Sequence, residues 1–434
     1  MIGFLPAAAG FGAMLAMMLI GVPVAVTLFL TALLGTLAYL GIPTLMMFGT
    51  QTWSVLNDFI LTAIPLFIFL GELLVRSGVA DGMYRSLTDW LRRLPGGLLH
   101  TNIASSSLFA AVSGSSVATA ATIGTVAIPT MERNGYDDRI TLGSIAAGAT
   151  LGILIPPSIN MIIYGSMSNT SIGQLFAAGI VPGIVLALLF MAYIGIASLL
   201  KPSIAGRATP AVPMAQKLRN LLDILPPLMI FALVMGSIYL GWATPSESAA
   251  LGVIGALGVT IAKRRFSFAM MHEAMLSTVK ISAMILLIVV AAQFLNFVIG
   301  ILGVPQMLTA VVGSIATSPL EVLLLLVVFY FVLGCFLETL SMMIATIPIV
   351  MPIVIHFGID PVWFGIFLVI MMEVALITPP LGMNLFIVQG VRGRGSVADV
   401  MWGSMPFVLI MLAMIILLIA FPGIALWLPG QMFP

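Results

Sequence analysis

Charge is what this sequence has least of. Only 7% of its 434 residues are charged, against roughly 25% in an ordinary soluble domain, while 61% are hydrophobic. A chain of this make-up does not fold as a soluble globule. Its 16 basic and 15 acidic residues are unevenly spread, and residues 1–57, 140–200, 281–320 and 400–434 carry none. About 20 apolar residues cross the hydrocarbon core of a bilayer, and each of these stretches holds at least one such length.

Other scarcities remove whole classes of function. A single cysteine, Cys335, excludes an intramolecular disulfide framework. The three histidines, His100, His272 and His356, lie far apart with no cysteine cluster beside them, so no transition-metal site and no cofactor are expected. None of the four lysines (Lys201, Lys217, Lys263, Lys280) follows a glycine, which leaves no Walker loop to cradle ATP. A net charge of +1 without a basic stripe argues against nucleic acid as a partner. Uphill movement of a solute would therefore draw on an ion gradient or on another subunit. The N-terminus lacks a basic region ahead of its apolar run, which predicts a first membrane span and not a cleaved signal peptide.

Against this apolar background, glycine, proline and the few charges carry the information. Residues 201–220 form a polar, proline-punctuated linker containing Lys201, Pro202, Arg207, Pro210, Pro213, Lys217 and Arg219. It divides the chain into halves, 1–200 and 221–434. Adding 223 to Pro129, Gly135, Asp137, Pro156 and Pro157 lands on Pro352, Gly358, Asp360, Pro379 and Pro380. Adding 225 to Phe69, Leu70, Gly78 and Val79 gives Phe294, Leu295, Gly303 and Val304. Lys and Arg mark cytoplasmic loops, and they swap sides between the halves. Arg85, Arg92, Arg93, Arg133 and Arg139 flank segments whose counterparts have no basic residue, whereas Lys263, Arg264, Arg265, Lys280, Arg392 and Arg394 flank the reverse set. Matched loops on opposite sides of the membrane predict an inverted-topology repeat, a common plan of secondary transporters.

Threaded by this rule, the chain is an all-α polytopic membrane protein with five spans and one re-entrant hairpin in each half. The first half has a hairpin over 98–131 with its tip at Ser113-Gly114-Ser115-Ser116, and a broken span over 140–165. The second has a hairpin over 320–355 turning near Glu338-Thr339, and a broken span over 362–388. The linker lies on the cytoplasmic side. The six tryptophans, Trp53, Trp90, Trp242, Trp363, Trp402 and Trp427, fall near predicted span ends or in loops, where interfacial anchors belong. From Met83, an apolar stripe of Leu87, Trp90, Leu91 and Leu94 alternates with Arg85, Asp89, Arg92 and Arg93, as in a helix lying on the membrane surface or in a short solvated linker helix.

Irregular backbone survives at membrane depth only where it is buried in protein or lines a site. The two hairpin tips and the two Pro-Pro breaks are therefore the candidate functional places. A broken helix offers carbonyl oxygens at one half-end and N–H groups at the next; the former, with Ser, Thr and Asn oxygens, suit Na⁺, and the latter suit a carboxylate. Small residues here would also serve close helix packing, which for Ser105, Ser106 and Ser107 explains them equally well. Among the acids, Glu72 has Arg76 one turn later and reads as a structural ion pair. Glu247 in Thr244-Pro245-Ser246-Glu247 reads as a capping box. Glu338 faces a potential ion site. Glu373 is a proton or cation ligand, or a paired packing residue. A membrane-embedded enzyme would need a Ser/His or Asp/Asp pair at depth, and none is present.

The strings Ser113-Gly114-Ser115-Ser116, Ile153-Leu154-Ile155-Pro156-Pro157-Ser158, Ile162-Ile163-Tyr164-Gly165 and Thr378-Pro379-Pro380-Leu381-Gly382-Met383-Asn384-Leu385-Phe386 resemble the large membrane subunit of tripartite ATP-independent periplasmic (TRAP) transporters, the DctM type. The resemblance spans essentially the whole chain. It implies an elevator-type carrier of the ion transporter superfamily, not an enzyme, importing a small organic acid such as a C4-dicarboxylate or sialic acid by Na⁺ symport across the bacterial inner membrane. Carried over by motif, one Na⁺ site involves Ser113, Ser115 and Ser116 with Gly152, Leu154 and Pro157. The other involves Glu338 and Thr339 with Thr378, Pro380 and Gly382; many members carry Asp-Pro where this chain has Glu338-Thr339. Gly114, Ser158, Asn160 and Asn384 are the expected substrate contacts. The implied partners are a small four-span membrane subunit and a periplasmic solute-binding protein, both expected as separate polypeptides. A stand-alone Na⁺- or H⁺-coupled carboxylate symporter is the alternative.

Overall fold

The computed structural model describes residues 3–206 and 212–433; Arg207 and Pro210 of the linker lie outside them. Backbone polar groups in hydrocarbon must be satisfied within the chain, and the described residues do this with helices alone. The first half runs α1 (Phe4–Leu19), α2 (Val24–Tyr39), α3 (Ile42–Leu56), a 3₁₀ turn (Phe59–Thr62), α4 (Ala63–Arg76), α5 (Val79–Leu91), α6 (Leu98–Ser113), α7 (Ser116–Arg133), α8 (Asp138–Leu154), α9 (Ile159–Ser168) and α10 (Ile172–Leu200). After α11 (Met214–Leu221) come α12 (Leu225–Tyr239), α13 (Pro245–Ala262), α14 (Phe268–Leu302), α15 (Val304–Ile315), α16 (Pro319–Gly334), α17 (Thr339–His356), α18 (Pro361–Ile377), α19 (Met383–Arg392), α20 (Val397–Ala420) and α21 (Gly423–Met432). Eight helical stretches among the described residues are long and apolar enough to cross a bilayer, and α1, α2 and α18 are shorter apolar helices.

The two halves share one order of helices. α1 and α2 correspond to α12 and α13. The 42–76 stretch of α3 and α4 corresponds to the single 35-residue helix α14. From α5/α15 onward the pairs are α6/α16, α7/α17, α8/α18, α9/α19 and α10/α20. Local chemistry repeats too. Gly78 and Gly303 stand at the N-caps of α5 and α15 in the left-handed region, at φ 72° and 73°, a conformation that costs glycine nothing. The counterpart of the amphipathic α5 is α15, which the sequence pattern had hidden inside a charge-free run. It meets α16 at 111°.

Helices in lipid gain nothing from apolar contact alone and associate through close packing of small residues. The helices sort accordingly into two groups. α14 packs on α2, α3 and α4, with α13 against α4 and α12. In the other group α8 and α18 are the centre. Every residue of Ile140–Leu154 and of Trp363–Ile377 is buried, enclosed by α6, α7, α10, α16, α17 and α20. Gly143 of α8 and Gly403 of α20 meet backbone to backbone, with no space for a methyl group on either.

Three expectations about individual residues are settled by this packing. Arg76 pairs with Glu72, whose other oxygen accepts from Ser277 at 2.8 Å. Thr244 and Glu247 form the capping box of α13. Five of the tryptophans are exposed, but Trp363 is not an interfacial anchor: it is buried and stacks on Phe367 at 5.6 Å, because α18 is surrounded by protein on all sides. The described part of the linker includes a helix. Its α11 docks on α5, where Asn220 donates to Asp89 at 2.7 Å and Lys217 lies 5.5 Å from the centre of the Trp90 ring. α5 is thus held by protein along Val79, Ala80, Met83 and Tyr84, while Trp90 and Leu94 stay exposed.

Candidate functional site: hairpin tips against broken helices

Ser113-Gly114-Ser115 turns the first hairpin. Gly114 is left-handed at φ 62° and closes α6, and Ser115 caps α7 by accepting from the Ala118 amide at 3.3 Å. Ser113 and Thr119 share a hydrogen bond of 3.2 Å across the turn, and Thr119 donates to the Ser115 carbonyl at 2.8 Å. Thr119 belongs to this turn but carries no motif of its own, and the sequence pattern did not single it out.

The break between α8 and α9 lies directly against that tip. A methyl on Gly114 would come 2.7 Å from the Pro157 carbonyl oxygen, and one on Gly152 would come 2.8 Å from the carbonyl carbon of Ser115. Only glycine permits such approach. The structure therefore brings Ser113, Gly114, Ser115 and Ser116 together with Gly152 and Pro157. The Leu154 carbonyl instead lies against Gly179 of α10. Ser158 bridges the break, donating to the Ile153 carbonyl at 2.6 Å and capping α9. Asn160 is buried in the first turn of α9, and its amide nitrogen has no hydrogen-bond partner among the described residues. On the opposite side of the tip, Gly71 of α4 abuts the Ser113 carbonyl oxygen, so the tip is clamped between the two helix groups.

The second tip and break are built differently. Glu338 caps α17, accepting from the Ser341 amide and hydroxyl at 3.0 Å each and from the Thr339 hydroxyl at 3.2 Å. Thr378 turns its hydroxyl to the Val374 carbonyl at 2.6 Å, and the Gly382 amide closes a turn onto the Thr378 carbonyl at 3.0 Å. Glu338 and Thr339 make their hydrogen bonds within their own turn, and Thr378 and Gly382 make theirs within the break; α16 and α17 pack on α18, where Gly334 meets Ala375. Break 155–158 is almost wholly buried, whereas Pro380, Leu381 and Met383 are exposed. Asn384 donates to the Ala146 carbonyl of α8 at 3.3 Å, and its oxygen has no partner among the described residues.

Each half-helix also packs against the hairpin of the other half. α9 lies on α17 and also meets α18, where the Tyr164 hydroxyl donates to the Pro361 carbonyl at 2.6 Å. α19 lies on α7, and its charged end is clasped: Arg392 bonds Asp138 at 2.6 Å and Asp399 at 3.1 Å, and Arg394 bonds Glu132 at 2.8 Å. Burial alone would lower the affinity of the Arg392 guanidinium for its proton, but the bonds to Asp399 and Asp138 outweigh this and hold it above its ordinary value. Among the described residues no group of three His, Cys, Asp or Glu side chains could hold a metal ion.

A hairpin tip seated on a broken helix, with a second hairpin and a second break in the other half, on an apolar all-helical frame, suits a polytopic membrane protein of the transporter class. The family described as "Tripartite ATP-independent periplasmic transporter, DctM component" matches residues 11–424, and the chain belongs to it. It is 33% identical to the C4-dicarboxylate TRAP transporter large permease protein DctM of Rhodobacter capsulatus, over 97% of this chain and 98% of that protein. The ectoine/5-hydroxyectoine TRAP transporter large permease protein UehC of Ruegeria pomeroyi is 32% identical over 98% of this chain and 99% of its own. The sialic acid TRAP transporter permease protein SiaT of Haemophilus influenzae is 32% identical over 97% of this chain and 68% of its own length. Among solved structures, the YdaH transporter of Alcanivorax borkumensis superposes with a TM-score of 0.66 at 16% identity, over 95% of this chain and 99% of that one, which is a likeness of fold. The family is one of transporter permeases, not of enzymes.

Proposed function

We propose that this chain is the translocating subunit of a tripartite carrier that imports a small organic acid by Na⁺ symport across the bacterial inner membrane. The two halves are inverted repeats, and the group built on α8 and α18 slides as a unit against the group built on α14. The observation that carries the reading is the seating of the Ser113–Ser116 tip on the Gly152 and Pro157 backbone. It sets hydroxyls and carbonyls together where a helix is interrupted, an arrangement that suits a small cation. Ser158, Asn160 and Asn384, together with Gly114, lie at the same breaks and are the candidate contacts for a carboxylate. Glu338, Thr339, Thr378, Pro380 and Gly382 are the candidates for a second Na⁺ site. The relatives' names span C4-dicarboxylate, sialic acid, ectoine and isethionate, so the substrate class is a small polar or acidic solute. A small four-span subunit and a periplasmic solute-binding protein complete the system.

Reconstitution tests this directly. Uptake into proteoliposomes is expected to require both partners and an inward Na⁺ gradient, and the Ser113→Ala, Ser116→Ala double variant is expected to lose at least about tenfold, the equivalent of roughly 1.4 kcal/mol. Unchanged Na⁺-dependent uptake by the double variant would remove the first ion site. Uptake by this chain without partners would favour the stand-alone symporter.

A further inference from the structure

Glu373 sits inside α18 with 0% of its surface exposed. Both of its carboxyl oxygens are buried, and neither has a hydrogen-bond partner among the described residues. This disposes of the paired packing residue that the sequence left open. The helices packed on α18 carry their charges near their ends: Asp138 and Arg139 open α8, Glu321 lies in the first turn of α16, Glu338 caps the start of α17 and is engaged by Thr339 and Ser341, His356 ends α17, Arg392 ends α19 and Asp399 lies in the first turn of α20. The phenols Tyr164 of α9, Tyr193 of α10 and Tyr330 of α16 do not bond Glu373 either, and Tyr164 and Tyr330 are engaged elsewhere. Thr150, 223 positions earlier in the matching helix α8, turns its hydroxyl to the Ala147 carbonyl at 2.8 Å. Thr378 and Ser404 likewise donate to carbonyls of their own helices, at 2.6 and 2.9 Å.

An ionised carboxylate in such a place costs several kcal/mol even after relaxation. A group that finds no counter-charge neutralises instead. A Na⁺ ion would supply the counter-charge, but it needs several further oxygens turned toward it, and Ser144 and Thr150 of α8, Thr378 at the end of α18 and Ser404 of α20 turn their hydroxyls to carbonyls of their own helices. We propose that Glu373 is a proton-binding site within the membrane: in this packed arrangement it holds a proton as a neutral acid, distinct from the hairpin-tip sites and not a ligand of Na⁺. Opening the packing around α18 to water would allow the proton to leave, and resealing it would require the proton to return. The inference concerns the resting protonation of one side chain and does not depend on the Na⁺-symport reading.

Infrared absorption of the purified full-length protein in lipid nanodiscs tests it without any transport assay. At pH 7 the wild type is expected to show the carbonyl stretch of a protonated carboxylic acid. That band is expected to be absent in Glu373→Gln, to shift in Glu373→Asp, which keeps an acid on a shorter stem, and to be unchanged by saturating Na⁺. Absence of the band in the wild type at pH 7, or its persistence unaltered in both variants, would overturn the proposal. Loss of the band on adding Na⁺ would also overturn it, making Glu373 a cation ligand. Should Glu373→Gln fail to fold, the Asp variant and the Na⁺ titration still decide.

Discussion

Asp137 and Asp360, 223 positions apart, open the two buried helices α8 and α18 with one geometry. Each sits at φ −63°, and each carboxylate accepts from the amides two and three residues on: Arg139 and Ile140 at 3.0 and 3.2 Å, Val362 and Trp363 at 2.8 and 2.9 Å. An acidic N-cap satisfies otherwise orphaned amides and complements the helix dipole. Replacing either aspartate by alanine is expected to cost about 1 kcal/mol of stability. Because the two caps share no hydrogen-bond partner, the two costs are expected to add. Thermal unfolding of Asp137→Ala, Asp360→Ala and the double variant in one detergent measures this; a double variant no less stable than either single one would deny the caps independent roles.

Close approach at the first break gives a second expectation. A methyl group at Gly152 would strike the Ser115 backbone at 2.8 Å, and backbone cannot rotate aside as a side chain can. Overpacking of this kind costs typically 1–3 kcal/mol, so Gly152→Ala is expected to lower Na⁺-dependent uptake about tenfold or more by pushing the tip off the break. Gly390 of α19 has nothing within 4 Å of the same added atom, and Gly390→Ala is expected to transport normally. Equal rates for the two variants would show that tip and break need not touch.

The places where helices break were legible in the sequence, because Pro156-Pro157, Pro379-Pro380 and the Ser113–Ser116 run are residues that interrupt helices whatever surrounds them. Which helices surround α18 was not. A helix buried on every side is apolar on every side and presents no face to read, so Trp363 looked like an anchor and Glu373 could not be told from a paired acid. The helix α15 was missed because no charge marks its polar edge; the correspondence of Gly303 with Gly78 was the available signal. The crossing of α9 onto α17 and of α19 onto α7 joins residues from opposite halves, and sequence periodicity holds no record of such partners.

The Arg392 clasp is one of those cross-half contacts. Its side chain is 4% exposed, while those of Asp138 and Asp399 are 40% and 30% exposed. Removing one partner of a fully buried pair costs about 3–5 kcal/mol; with both carboxylates partly solvated, Arg392→Gln is expected to cost about 2 kcal/mol. Since Arg394 also reaches Asp138, at 3.5 Å, the Arg392→Gln, Arg394→Gln double variant is expected to cost less than the sum of the single ones. Chemical or thermal unfolding of the three variants supplies the comparison, and strict additivity would mean that the two arginines act separately.

Matched helices α5 and α15 bring the inverted arrangement within reach of a chemical test. The chain has one cysteine, Cys335, so a Cys335→Ser background is blank to thiol reagents. Arg93, just past α5, and Ser314, near the end of α15, are both exposed. If the basic residues mark the cytoplasmic face, Arg93→Cys is expected to resist a membrane-impermeant maleimide in intact cells and to react once the membrane is permeabilised. Ser314→Cys is expected to react in intact cells. A parallel repeat would place both on one side, and then the two cysteines would label alike. The test separates these cases because it reads side and not fold: the same helix order satisfies either arrangement, and only an odd number of crossings between the matched helices would turn one half over relative to the other.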